Sequence, residues 1–466
     1  MNRILNEKNK NLYFLIIISI SLSIVIGVGS VSNLLVYALL MTVLLLFLVL
    51  FIKRIERTIF FIITMISILV LTNLSQSNYF KIINYSFYIF ACLLLFILIL
   101  DLVVKGKKLE FKFQMLDVLV LMYFISIMVS YLHSYNREIS ISFVVSTFCC
   151  IFVAYFLGKK LIFLSKKSII SFSKFMLLVI VIFMFLGHLT SFLGVTINLL
   201  DIKIESRLTF INGYMLPSGL FGNPNGLGML GFLGMPLALL IVGAEKDTSV
   251  KNKIIYLIMG IYSLIGVCTT ISRTAIFSSL IASGIILMLG FVKSIKKRLI
   301  IFVVAVLSLS IIYAIFLVND SIYNIIQYKV DNSGLSNRDR IWASATEVFT
   351  ENIMFGVGPG GFSYSGLDIV VSTHNAFLNI AVSGGIFSLL PFILIFILIV
   401  YKSVTVNINI KDDSLRHIII SLTALILGIA LHQNFENAIG YGFGFLNFLT
   451  FIFIGILSNC YQKRIL

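Results

Sequence analysis

The chain alternates long apolar runs with short polar turns. Runs of roughly 20 residues, each long enough to cross a hydrocarbon layer as a helix, recur from residue 12 to residue 460. They predict spans at about 12–30, 33–52, 58–72, 84–104, 115–132, 141–158, 174–194, 226–244, 254–270, 274–292, 299–318, 377–401, 417–432 and 442–460. The first run lacks a small-residue cleavage site and is followed by further spans, so it reads as a retained anchor. One stretch breaks the rhythm. From Asn319 to the run that opens at Phe377 the chain is too polar for lipid, and this stretch holds the single tryptophan, Trp342. The expected fold is all-α: a polytopic transmembrane helix bundle of about 12–14 spans with one long loop containing short amphipathic helices. Residues 1–318 form an N-terminal bundle, 319–376 the loop and 377–466 the C-terminal helices.

Composition agrees with a membrane chain. Of 466 residues, 59% are hydrophobic, and the mean hydropathy of +1.08 lies far outside the soluble range. The net charge of +16 does not make this a nucleic-acid binder, because the basic residues sit in short clusters between apolar runs, where they set topology. With both termini placed in the cytoplasm, the alternation leaves all but eight of the 35 Lys and Arg residues inside. Those eight are Lys81, Arg137, Lys203, Arg207, Arg273, Lys329, Arg338 and Arg340. The long loop is then extracytoplasmic. The five cysteines lie in or beside apolar runs without metal-ligand spacing, so neither a metal site nor a disulfide framework is expected.

Positive charge on the outer face runs against the insertion bias and needs a reason. Arginine presents a planar fork of donors that fits phosphate and stays charged in any surroundings. Arg207 lies in the polar stretch 201–228, where Asn223-Pro224-Asn225-Gly226 starts the next helix; it either snorkels to lipid headgroups or meets an anion. Arg273, in Thr-Thr-Ile-Ser-Arg-Thr-Ala, has almost no loop to hold it and either snorkels or lines a polar cavity. In the long loop, Ile341, Trp342, Ala345, Val348 and Phe349 make one apolar helix face, with Arg338 one turn before Trp342 and Arg340 beside it. That helix lies on the membrane surface or caps the bundle.

Gly356–Gly361 fits G-x-G-x-x-G, but no βαβ unit surrounds it, so it reads as a tight turn allowing close backbone approach rather than a dinucleotide site. His374-Asn375 opens the span after the loop, with His374, Leu378 and Ala381 on one helix face. Most lone interfacial histidines are structural. Among arginines this one is expected to stay neutral and able to act as a general base. Glu436, between the last two spans, can orient His374 or bind sugar hydroxyls.

In order, Gly-Leu-Phe-Gly-Asn-Pro-Asn-Gly, Ser-Arg-Thr-Ala, Arg338-x-x-x-Trp342, Gly356-Val-Gly-x-Gly360 and His374-Asn375 closely resemble the O-antigen ligase and polymerase superfamily of bacterial polysaccharide assembly, over about residues 201–400. The resemblance implies a metal-independent, cofactor-free, inverting glycosyl transfer at the outer face of the cytoplasmic membrane. Its donor would be a glycan on polyprenyl (undecaprenyl) diphosphate. Carried over by position, His374 is the base, Arg207, Arg273 and Arg338 bind the diphosphate, and Arg340, Trp342, Asn375, Gly358 and Glu436 support them. The leading reading is a polymerase of O-antigen, capsule or exopolysaccharide, acting on a lipid-linked repeat unit among membrane lipids, with a flippase and a chain-length regulator as partners. A ligase moving finished glycan to lipid A core or protein is the enzymatic alternative. A lipid-linked oligosaccharide flippase is the alternative of another class, against which stands the lack of an internal repeat.

Overall fold

The computed structural model describes residues 113–156, 158–159, 165–194, 197–199, 202–211, 214–219, 221, 223–292, 294, 296, 300, 338–364, 373–442 and 444–462. The first four expected spans and, apart from Ile300, the span 299–318 lie outside these residues. Nine expected spans fall within them, and a helix occupies each. In chain order the elements are α1 (Met115–Leu132), α2 (Arg137–Phe156), α3 (Lys166–Leu193), strands β1 (Ile197–Leu199), β2 (Ile202–Ile211) and β3 (Tyr214–Gly219), then α4 (Pro224–Gly231), α5 (Gly234–Ala244), α6 (Val250–Thr269), α7 (Arg273–Ile285), α8 (Arg338–Glu351), α9 (Ala376–Asn409), α10 (Asp413–His432) and α11 (Phe445–Gln462). Among the described residues, seven helical segments are long and apolar enough to cross a membrane. The chain is a multi-pass membrane protein.

Burial sorts these helices. α4 and α5 form the buried centre, and α3, α6, α7 and α10 pack around α5. α6 turns Ile254, Ile258, Ile261 and Ile265 outward, and α1 does the same with Val118, Leu121, Met122 and Ile125. Apolar side chains exposed at helical spacing on membrane-length helices form a lipid-facing surface. α7 runs antiparallel to α10: Gly428 meets Ser278 and Ala282, and further along Gly290 meets His417. The N-terminus of α7 and the C-terminus of α10 therefore share one end of the bundle. At the opposite end Lys174 pairs with Glu245 at 2.6 Å and Lys166 with Asp412 at 2.6 Å.

Two findings depart from the sequence reading. Residues 197–219 form a three-stranded antiparallel sheet in the order β1-β2-β3, where a helix-entry loop was expected. The alternation Ile202, Ile204, Ser206, Leu208, Phe210 has the period of two that a strand requires, in a stretch too short to span.

The second departure is in α9. It is broken at Gly385, which sits at φ 63° and ψ −168°, a region essentially confined to glycine. Gly385 thus opens the helix. The break frees carbonyls above it and N–H groups below it, and the glycine-rich turn takes up both sets. Val357 and Gly358 donate their N–H groups to the carbonyls of Val382 and Ser383, at 3.0 and 2.9 Å. Ile386 and Phe387 donate theirs to the carbonyls of Ile353 and Met354, at 2.7 and 3.3 Å. Ser130 of α1 adds a hydroxyl to the Ser383 carbonyl. A Cβ on Gly356 would run into the Ser383 backbone, and one on Gly385 into the Met354 carbonyl. Against this turn pack Ile341 and Ala345 of α8, with Val357, Phe362 and Val382; Trp342, Val348 and Phe349 flank them. The amphipathic helix therefore caps the bundle.

Gly385→Ala is expected to destabilise the protein by ~1–3 kcal/mol from backbone strain, with the Met354 clash in addition. Gly284→Ala, on α7 where a new Cβ meets nothing within 4 Å, is expected to be neutral or to stabilise by ~0.5–1 kcal/mol. Thermal unfolding in detergent checks the order of the two; the reverse order would remove the broken-helix account.

Candidate functional site

Three distant segments meet at the end of the bundle that α8 covers. Arg338 opens α8, His374 precedes α9 and Glu436 follows α10. Arg338 Nη2 donates to Glu436 Oε1 at 3.2 Å, and His374 Nδ1 lies 3.5 Å from Glu436 Oε2. Asn225 in the first turn of α4 adds its side-chain amide to Glu436 Oε1 at 3.4 Å. Glu436 thus joins four segments. Its side chain is 19% exposed and that of Arg338 16%, whereas His374 is 36% exposed. The histidine is the solvent-facing member of the group.

Local sequence explains the placement. Asn375 caps α9, its side chain accepting the Leu378 N–H at 3.0 Å. His374 therefore lies outside the helix, at φ 48°, and not on the helical face with Leu378 and Ala381 that periodicity predicts. A non-glycine residue at positive φ needs its surroundings to hold it. Trp342 supplies part of that hold, because its indole N–H donates to the Thr373 carbonyl at 2.8 Å. Its ring also packs against Phe435, centroids 6.1 Å apart. The Ala376 N–H donates to the Gln433 carbonyl at 2.9 Å, which ties the start of α9 to the end of α10.

The charge around His374 also differs from expectation. Its nearest charged partner in the described contacts is Glu436 rather than an arginine. A carboxylate on Nδ1 holds the proton on that nitrogen and places the basic lone pair on Nε2. Burial pushes the Glu436 carboxyl up, but the hydrogen bond from His374 and the charge of Arg338 outweigh it and hold the group below its ordinary value.

The remaining expected residues are placed as follows. Gly358 works through its N–H, in the turn that closes the α9 break. Arg273 is the first residue of α7 and exposed, at the same end of the bundle, beside the turn whose Thr270 and Ser272 pack on Gly228 of α4. Arg207 lies on β2 opposite Leu216 of β3, and β3 leads into α4. Arg340 is exposed. It stands two positions from Arg338, so it projects from another side of α8 and does not join Glu436. Sequence reasoning missed Asn225 as a partner of Glu436 and Thr373 as the anchor of Trp342. A turn motif gave the first, and no local signal marks the second.

Glu436→Gln is expected to cost about 1.5–3 kcal/mol at neutral pH, the range for a hydrogen bond to a charged group. The folded carboxyl lies below its unfolded value of about 4.3. Its contribution is therefore complete above that value and is lost as pH falls through the lowered folded one. Melting curves of the parent protein and Glu436→Gln should converge in acid; a gap that persists there would contradict the ion-pair assignment.

Residues 258–393 match the family model described as O-antigen ligase. The matched segment holds Arg273, Arg338, Trp342, the glycine-rich turn, His374 and the break in α9; Arg207 and Glu436 lie outside it. The match supports the O-antigen ligase and polymerase superfamily, whose motifs the sequence resembles. No curated protein matches the chain.

Proposed function

We propose that this protein is a polysaccharide polymerase. It moves a glycan from a polyprenyl-diphosphate carrier onto a lipid-linked repeat unit at the outer face of the cytoplasmic membrane. The observation that carries the reading is the His374–Glu436–Arg338 cluster: one solvent-facing imidazole, oriented by a partly buried carboxylate that also holds a guanidinium.

The chemistry follows from those roles. His374 Nε2 accepts the proton of the acceptor hydroxyl, and Glu436 on Nδ1 stabilises the imidazolium that forms. The hydroxyl oxygen attacks the anomeric carbon from the face opposite the diphosphate, so the configuration inverts. The bond from that carbon to the diphosphate oxygen breaks, and its electron pair leaves with the carrier. Fixed cations stabilise the charge on the leaving group. Arg338 supplies one from within the cluster, Arg273 another from the same end, and Arg207 is assigned a third. The imidazolium then returns its proton to solvent or to the leaving diphosphate. No step calls for a metal or cofactor. The segment 319–376 carries this chemistry between the bundles 1–318 and 377–466. Both termini are cytoplasmic, as the sparse outer basic residues support.

A ligase is the second reading, favoured by the description of the matching family as O-antigen ligase. It differs in acceptor and uses the same site. His374→Ala, with membrane abundance checked in parallel, tests the proposal. Loss of a general base lowers turnover ~10²–10⁴-fold. Long glycan is expected to disappear while single lipid-linked units accumulate. Loss of capped single units as well would favour the ligase. Normal long glycan would remove His374 from the base role.

A further inference from the structure

A second histidine borders the cluster. His432 ends α10, is fully buried, and stacks on Phe232 with ring centroids 5.2 Å apart and planes 12° apart. It lies within electrostatic range of Glu436 and Arg338. In the sequence it stands four residues before Glu436, in His-Gln-Asn-Phe-Glu.

Its tautomer follows from its neighbour. Gln433 accepts the Ala438 N–H on Oε1 at 2.6 Å. That bond fixes which way the amide faces, and it turns Nε2 toward His432 Nδ1, 3.1 Å away. An amide nitrogen only donates. His432 Nδ1 is therefore the acceptor, and the ring proton sits on Nε2. That Nε2–H is buried and has no hydrogen-bond partner. Arg338 Nε is in the same condition. Among the described residues these are the only two buried side-chain nitrogens without a partner, and they fall in one cluster. The other such atoms among the described residues are oxygens: five serine hydroxyls, which can turn to find a partner, and Glu245 Oε2, which pairs with Lys174. These two nitrogens can only donate. Buried donors are normally matched, so this pair calls for an oxygen from outside the protein.

We propose that His432 is a ligand-binding residue, its Nε2–H donating with the Arg338 Nε–H to a phosphate oxygen of the bound carrier diphosphate. The assignment rests on the proposed donor and deepens it. It separates the work of two histidines. His374 presents a lone pair at the open side of the cluster and takes a proton. His432 presents a fixed proton at the closed side and holds the anion. With Nδ1 engaged by Gln433 and Nε2 protonated, His432 is not a second base.

The test is binding of polyprenyl diphosphate to the purified full-length protein in detergent micelles, with inorganic diphosphate titrated separately. His432→Phe keeps a ring for Phe232 and loses the donor; His432→Gln keeps an N–H donor. The expected result is that Phe weakens polyprenyl diphosphate binding by about tenfold or more, as loss of a hydrogen bond to a charged acceptor does, while Gln recovers most of it. His432→Met replaces Phe if that variant does not fold. Inorganic diphosphate is expected to show the same ranking at lower affinity. Parent-like binding by His432→Phe or His432→Met would overturn the proposal and leave a trapped water as the partner of Nε2. Failure of the parent protein itself to bind polyprenyl diphosphate would instead strike the proposed donor, and this ligand with it.

Discussion

The structure depends on one exchange of backbone hydrogen bonds. A membrane helix broken at mid-course leaves carbonyls and N–H groups with no water to satisfy them, at several kcal/mol each. Here the turn 353–358 supplies N–H groups to Val382 and Ser383 and takes those of Ile386 and Phe387. The first part of α9, residues 376–384, is only ~13 Å long at 1.5 Å per residue. It ends against a piece of loop instead of against lipid. Because the turn fits only if Gly356 and Gly385 lack side chains, the loop has one place to dock.

That docking fixes the chemistry by short covalent paths. Upstream of the turn, α8 brings Arg338 and Trp342. Upstream of the break, His374 and Asn375 lie at the start of α9. Trp342 then joins the two arms by its bond to the Thr373 carbonyl. The strained backbone of His374 is held between the Trp342 bond on one side and the Ala376–Gln433 bond on the other. Helix packing, the turn and the imidazole form one connected chain of constraints, so a change at the glycines reaches the site without touching it.

Much of this was legible in the sequence, for identifiable reasons. The apolar face of α8 was readable from Ile341, Trp342, Ala345 and Phe349, because a period of 3.6 survives whatever the helix packs against. The glycine-rich turn was readable as a close approach, but not its partner. Gly385 looks like any small residue in a membrane helix until the groups it frees are counted. The β-strands at 197–219 were missed because the length rule for spans had already assigned that stretch to a loop. Glu436 was legible as an acid able to orient His374, but not as the hub that also holds Arg338 and Asn225. It comes from 62 residues further along than His374 in the numbering, and only folding makes them neighbours.

A carboxylate at the centre of a site proposed for an anion needs an explanation, and the donor count provides it. A guanidinium carries five N–H donors in a rigid fork. Arg338 uses Nη2 on Glu436 and keeps Nε unmatched. Glu436 thus orients the arginine and offsets its charge in a poorly solvated place without exhausting it. Without the acid, a buried, uncompensated cation would be costly. Without the unmatched nitrogens, the cluster would be a closed ion pair with nothing to offer a ligand. The combination is stable when empty and still has donors for an incoming oxygen, which is what the proposed binding and release of a charged carrier would require.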